Sequence, residues 1–436
     1  MLTFPKGFLW GTATSSHQVE GDNENNQWAL WEKQPGRIWQ GNRAGKACDW
    51  WAHAERDFDL MTQLHQNAHR MSLEWSRLEP QEGYFDDRAF ARYREMLTGL
   101  RERGIEPMVT LHHFTEPLWF WKRGGWLHPV AVANFRRYVE HVAQRLGDLV
   151  TLWCTINEPV IYALIGYLGG TFPPGENNPI HMFQVLRRLI LAHGEAYYTL
   201  HQFLPGAQVG IVKNMSVFVP ARPNSPGDQR AARWVDKLFN WLTPDAMVTG
   251  YLSPPLGLGL RPHDRLAGAA DFIGLNYYGR RTIAFDPSRP GNLFLNDFNN
   301  SEGETTDITA EGEPYSEVYP EGIYELLKKL WDRYHLPLYV TENGLPDRDD
   351  DQRPSFIVRH LVQVHRALEE GVDVRGYFYW TLVDNFEWAD GWNLRFGLVE
   401  LDPETQERRP RPSAAVYAEI ARTNAIPDDL LERYSS

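Results

Sequence analysis

The sequence predicts an α/β fold, a (β/α)8 TIM barrel with elaborated βα loops at its C-terminal face. Three observations carry this: eight short apolar runs recur along 436 residues, stretches of helical periodicity separate them, and no linker, repeat array or low-complexity tract divides the chain. One catalytic domain spanning residues 1–436 is expected, because α/β barrels routinely exceed the usual domain length. An open doubly wound sheet is the alternative topology.

The expected strands are Phe8 to Ala13, His69 to Leu73, Pro107 to Leu111, Leu152 to Ile156, Val209 to Val212, Phe272 to Leu275, Leu338 to Thr341 and Gly376 to Trp380. Between them, Phe90, Tyr93, Leu97 and Leu100 fall on one face of a helix that Gly104 would end. Val132, Phe135, Val139, Val142 and Leu146 repeat that spacing, as do Ile357, Leu361, Val364 and Leu368. Strands alternating with helices imply parallel pairing through right-handed crossovers. Closure into a barrel then puts the chemistry just after the C-terminal ends of the strands. The stretch from Asp286 to Pro320, rich in Gly, Pro, Asn and Glu, follows the sixth strand and is expected to pass over the mouth. Asp347 to Asp351, with Arg348 inside it, reads as a solvated loop and not as a metal site.

Charge and composition exclude several partners. Forty-four Lys and Arg stand against 57 Asp and Glu, a formal charge of −13, which is the wrong sign for nucleic acid or an anionic membrane. No apolar run reaches the roughly 18 residues a membrane span needs. Met1 to Thr14 has one basic residue, Lys6, and an apolar stretch broken by Gly7, Gly11 and Thr12, so it lacks the core of a secretory signal. A cytoplasmic protein is expected, its oligomeric state left open. Cys48 and Cys154 should be buried free thiols, since two thiols make neither a disulfide framework nor a metal cluster. No metal and no organic cofactor is expected. The 17 Trp, beside 19 Tyr and 21 Phe, suggest flat surfaces that stack on sugar rings, although most should serve a large aromatic core.

Two glutamates follow apolar strands directly: Glu158 in Thr155-Ile-Asn-Glu-Pro159 and Glu342 in Tyr339-Val-Thr-Glu-Asn-Gly344. Either alone would usually be a loop residue or a partner for Arg. Strands four and seven face each other across a barrel mouth, so together the two can flank one substrate, as glycoside hydrolysis requires. In His112-His113, adjacent strand residues point to opposite faces, so the pair cannot easily ligate one ion and one of them should face the pocket.

In that order, and 184 residues apart, the Asn-Glu-Pro and Thr-Glu-Asn-Gly motifs resemble those of family 1 glycoside hydrolases, the retaining β-glucosidases and β-galactosidases. Six further segments follow the family order: Phe8-Leu-Trp-Gly-Thr-Ala-Thr-Ser-Ser-His-Gln-Val-Glu-Gly21, Arg70-Met-Ser-Leu-Glu-Trp-Ser-Arg77, Thr110-Leu-His-His-Phe114, Gly274-Leu-Asn-Tyr-Tyr278, Trp380-Thr-Leu-Val-Asp-Asn-Phe-Glu-Trp388 and Arg395-Phe-Gly-Leu398. The resemblance implies a retaining exo-β-glycosidase acting on terminal β-D-glucosyl residues, and on galactosyl or fucosyl residues, in a small β-glycoside or oligosaccharide. Glu342 would be the nucleophile, held ionised by Arg70 and Tyr278, with Asn276 also among the catalytic residues. Glu158 would be the acid and then the base, its pKa raised by a carboxylate about 5 to 5.5 Å away.

The same resemblance assigns the sugar to Gln18, His113, Asn157, Trp380, Glu387, Trp388 and Phe396. His113 would donate to a hydroxyl while His112 packs behind the strand, and Asn157 would hold the 2-hydroxyl. Trp380 would be a stacking platform, with a cis bond to Thr381. Trp126, Trp392 and Trp119 are further candidates for the leaving-group side. The carboxylate of Glu387 argues against a 6-phosphorylated sugar. Three departures from the family pattern, His17, Glu116 and Phe172-Pro-Pro-Gly175, bear on the surroundings of the leaving group. A transglycosidase, a 6-phospho-β-glycosidase and an inactive sugar-binding barrel are the alternatives.

Overall fold

The computed structural model describes residues 1–289, 294–299 and 303–435. Eight parallel strands close into a barrel: β1 (Leu9–Ala13), β2 (Ala68–Ser72), β3 (Glu106–His112), β4 (Leu152–Asn157), β5 (Gln208–Pro220), β6 (Phe272–Phe285), β7 (Leu338–Asn343) and β8 (Val374–Trp380). Each pairs with the next along the chain, and β8 returns to β1 with Gly376 opposite Leu9, so the sheet is not open. Six strands match the expected runs to within two residues at each end. The other two, β5 and β6, continue for 13 and 14 residues. Their apolar runs stop at Lys213 and at Asn276, yet the backbone ladder does not. The far end of β6 pairs antiparallel with Leu295–Phe298 in the excursion over the mouth. Within that excursion, residues 290–293 and 300–302 lie outside the described residues.

Around the barrel run α1 (Trp50–Gln63), α2 (Asp87–Glu102), α3 (Ala131–Leu146), α4 (Pro159–Leu164), α5 (Pro179–Phe203), α6 (Pro226–Asp236), α7 (Leu242–Thr249), α8 (Glu321–Tyr334), α9 (Arg353–Glu369) and α10 (Pro412–Thr423). Each of the three periodic segments forms its helix and turns its apolar stripe inward. In α2, Asp86 caps the start by accepting from the Arg88 amide, and Phe90, Tyr93, Leu97 and Leu100 are buried. The main core lies between strands and helices. A second apolar column, including Ala68, Met108, Cys154, Val212 and Phe378, fills the barrel itself. Cys48 and Cys154 are both buried and free. No described helix is long and apolar enough to cross a membrane.

The acidic run corrects one expectation. Arg348, Asp349 and Asp351 are exposed, but Asp347 and Asp350 are buried. Asp347 accepts from the amides of Gln352 and Arg353 at the start of α9, and Asp350 pairs with the Arg353 guanidinium while accepting from the Ser413 amide and hydroxyl. The loop folds inward because Arg353 is itself fully buried, and a buried guanidinium requires a carboxylate.

Candidate functional site

Each of the two glutamates is positioned by its backbone. β4 ends at Asn157; Glu158 then takes a left-handed conformation, φ 45°, before Pro159 opens α4. That conformation costs a non-glycine residue roughly 1–2 kcal/mol. It is locked at both ends, since the Glu158 amide donates to Val212 at 3.0 Å and its carbonyl accepts from Tyr162 at 3.1 Å. Glu342 lies within β7. Gly344 follows because the chain there passes the end of β8: a Cβ would stand 1.9 Å from the Trp380 carbonyl oxygen.

Both carboxyls line one cavity of about 320 Å³ at the C-terminal end of the barrel, together with His113, Asn157, Tyr278, Trp380, Glu387 and Trp388. The other expected site residues stand behind this wall. Arg70, wholly buried in β2, forms an ion pair with Glu342 and donates to Asn157 Oδ1 at 2.6 Å and to Thr110 Oγ1 at 3.1 Å. The Tyr278 hydroxyl donates to the other Glu342 oxygen. Asn276 donates to Glu158 Oε1 at 2.7 Å, and its carbonyl accepts from Thr341 at 2.7 Å. Gln18 gives its amide to Asn385, Phe386 and Glu387. Phe396 does not line the cavity. Its ring packs edge-on against Tyr278 and Tyr315, which do line it.

The two carboxyls therefore sit in different electrostatic surroundings. Glu342 has a cation and a hydroxyl donor, whereas Glu158 has the neutral amides of Asn276 and Asn214. Burial, and then the charge of Glu342, push Glu158 up to about 7. The neighbouring carboxylate is thus the second cause of the shift and desolvation the first, an order that needs the packed structure to be read. Asn157 links the two sides: its carbonyl accepts from Arg70 and, at 3.3 Å, from Asn276, which turns its amide toward His113 Nε2 at 3.1 Å. Nε2 is then the acceptor and the ring proton is on Nδ1, which has no partner. Burial, and then the Arg70 charge, hold this imidazole neutral, well below its ordinary value.

His112 faces the helices, paired with Glu116 at 3.0 Å; Glu116 also accepts from Trp126 Nε1 at 2.8 Å. Trp126, Trp392 and Trp119 do not line the cavity, contrary to expectation. Trp126 is enclosed in this buried cluster, while Trp119 and Trp392 donate to the carbonyls of Glu79 and Arg43. An indole N–H needs an acceptor, and each found one away from the mouth. His17 pairs with Glu32 at 2.6 Å and stacks on Trp388, so that departure supports a wall residue. Trp380 and Thr381 are joined by a cis peptide. Burial, and then Asp390 and Glu342, push Glu387 well above the carboxylate range. No Lys or Arg is among the described residues lining the cavity, which disfavours a phosphate there.

Sequence reasoning missed Lys213, Asn214 and Tyr315. Asn214 donates to Glu158 at 3.1 Å, and Tyr315 lines the cavity. Lys213 is buried over the Phe239 ring and donates to the Asn214 carbonyl; burial pushes it down to about 7 against the pull of Glu158. Two polar residues ending the apolar run of the fifth strand were the available signal, the same one that marked the two glutamates. Among the described residues no group of three or more His, Cys, Asp or Glu side chains could hold a metal.

Comparison with known proteins gives a consistent result. The family model described as glycosyl hydrolase family 1 matches residues 1–426. The chain is 33% identical to a β-galactosidase of Sulfolobus acidocaldarius over 99% of its own length and 97% of the relative's. It is 32% identical to β-glucosidase A of Thermotoga maritima, covering 98% and 99%. Among solved structures, a β-glycosidase from Pyrococcus horikoshii matches with TM-score 0.89 and 45% identity, covering 100% of this chain and 98% of that one. The Thermotoga maritima β-glucosidase in complex with glucoimidazole matches with TM-score 0.89 and 32% identity, covering 98% and 100%.

Proposed function

The chain belongs to glycosyl hydrolase family 1, and from that premise we propose that its barrel mouth hydrolyses terminal, non-reducing β-D-glucosyl residues with retention, taking galactosyl and fucosyl residues as further glycones. The observation that carries this is the pair of carboxyls lining one cavity in unlike surroundings. Glu342, oriented by Arg70 and Tyr278, attacks the anomeric carbon. Glu158, still protonated near neutral pH, gives its proton to the glycosidic oxygen as that bond breaks. Once Glu342 is esterified its charge is gone, the second cause of the Glu158 shift disappears, and Glu158 can take a proton from water. Water then opens the ester and restores Glu342.

Asn157 offers the second hydrogen of its amide to the sugar 2-hydroxyl, a bond that strengthens as charge develops at the ring. Trp380 and Trp388 supply apolar faces for the ring and Glu387 an outer hydroxyl partner, held in place by the Gln18 amide behind it. Asn276 holds Glu158, and Phe396 acts through Tyr278. We read residues 1–436 as one catalytic unit without metal or organic cofactor. Its two buried thiols suit the reducing cytoplasm. The test is Glu342→Gly, which should abolish turnover of an aryl β-glucoside and, with azide, release the α-glycosyl azide. A β-azide would overturn retention. A panel of nitrophenyl β-glycosides compared by kcat/KM ranks the glycones.

A further inference from the structure

Each of the two carboxyls is ionised at one stage of the reaction, and the barrel has to hold both charges in turn. In the free site the charge is on Glu342, where the Arg70 guanidinium pairs with it. In the glycosyl-enzyme Glu342 is an ester and the charge has passed to Glu158, whose hydrogen-bond donors are the neutral amides of Asn276 and Asn214. A buried carboxylate without a cation is costly. The ionisable groups that act on Glu158 are Glu342 from β7, Arg70 from β2, Lys213 from β5, Tyr278 from β6, and Tyr315 and Glu387 from the loops over the mouth. Of the two cations in that set, Arg70 is engaged by Glu342 and Asn157.

The other, Lys213, is 1% exposed and lies inside a segment that holds Glu158 at two points. The Glu158 amide donates to the Val212 carbonyl at 3.0 Å, and Asn214 Nδ2 donates to Glu158 Oε1 at 3.1 Å. Between them, Lys213 Nζ donates to the Asn214 carbonyl and stands 4.4 Å from the centroid of the Phe239 ring. Phe239 reaches it from a π-helical turn, Lys237–Trp241, an irregularity that concentrates at functional sites. A carbonyl and a ring face attract an ammonium but do not neutralise it. Lysine is almost never fully buried unless paired, yet among the described residues no Asp or Glu is in ion-pair contact with this one. Glu158 is the one charged group, among the described residues, that acts on it.

We propose that Lys213 is a positioning residue for the acid and base, the counter-charge that Glu158 acquires when it ionises in the glycosyl-enzyme. The proposal deepens the β-glycosidase reading and rests on it. Arg70 serves the carboxylate of the first half-reaction, and Lys213 that of the second. When Glu342 bonds to the anomeric carbon and Glu158 passes its proton to the leaving oxygen, a protonated Lys213 favours the ionised form of Glu158, ready to take a proton from water. When that water opens the ester, the proton is on Glu158 and the charge is back on Glu342 beside Arg70. Burial pushes the amine down to about 7 against the pull of Glu158, so the ammonium is held best when its partner is ionised.

The test is the pH profile of Lys213→Met, which keeps the chain length without the charge, and of Lys213→Gln, which also keeps a donor for the Asn214 carbonyl. Losing the cation disfavours ionised Glu158, so two limbs should move up together, each by about 0.5–1 pH unit. One is the alkaline limb of kcat/KM for p-nitrophenyl β-D-glucoside, where Glu158 must be protonated. The other is the acid limb of kcat for 2,4-dinitrophenyl β-D-glucoside, whose good leaving group makes opening of the ester limiting, so that Glu158 must be ionised. The acid limb of kcat/KM, which belongs to Glu342, should stay in place. Limb midpoints do not depend on the amount of folded enzyme, so partial misfolding imitates neither result. Limbs that stay or move down in Lys213→Met, or that return to their places in Lys213→Gln, overturn the proposal alone. Absence of turnover of both glucosides by the unaltered enzyme would instead overturn the reading on which the proposal rests.

Discussion

Replacing Glu158 by Gln separates what the acid does for catalysis from what its burial does to the fold. A carboxyl raised from 4.5 to about 7 on folding binds its proton more tightly in the native state. Below pH 4.5 it is neutral in both states. Between 4.5 and 7 the unfolded chain releases the proton and the native protein does not, so stability falls by about 1.4 kcal/mol per pH unit. By pH 8 the loss is about 3 kcal/mol. Gln keeps the oxygen that accepts from Asn276 at 2.7 Å and Asn214 at 3.1 Å, and it cannot ionise.

The variant should thus match the unaltered protein at pH 4 and exceed it by about 3 kcal/mol at pH 8. With about 2.1 cal/mol/K of unfolding entropy per residue, this is a Tm gain of about 3–4 °C for a chain of 436 residues. Calorimetric melts of both proteins at the two pH values, at fixed ionic strength, measure it. A Tm gap that does not change with pH, or an unaltered protein that is the more stable at pH 8, refutes the burial argument. The same proton should give the unaltered enzyme an alkaline limb of kcat/KM near pH 7, absent from the variant acting on a highly activated aryl glucoside.

Asn276→Ala removes a donor that favours the ionised form of Glu158, so the alkaline limb should move up by roughly 0.5–1 pH unit; a downward or null shift speaks against that role. Asp350→Ala strands the buried Arg353 and should cost about 3–5 kcal/mol in denaturant unfolding with kcat nearly unchanged, whereas a loss below about 1 kcal/mol would contradict the buried pair. Gly344→Ala drives a Cβ against the Trp380 carbonyl, displacing the wall and Glu342 together. A fall in kcat/KM of at least about tenfold is expected, and unaltered kinetics would show that the loop absorbs the methyl.

The barrel strands and the two glutamates were legible because a buried strand announces itself as an apolar run and a polar residue at its end stands out locally. The same rule could have exposed Lys213 and Asn214, which end the run in the fifth strand and which only the fold connects to Glu158. Resemblance supplied Arg70, Tyr278, Gln18 and Phe396 by name, without saying which touch the cavity and which brace those that do. Tertiary structure alone decided the division between wall and support, the burial of Asp347 and Asp350, and the places of Trp119, Trp126 and Trp392. It also formed the apolar cavity beside Asn214, from α4, α5, α6, α7, β5, β6 and the segments between them. The physical reason is range: periodicity and strand ends are properties of neighbours in sequence, whereas desolvation, ion pairing and cavity shape sum over residues as distant as Arg70 and Glu342. Those sums set which carboxyl carries the proton.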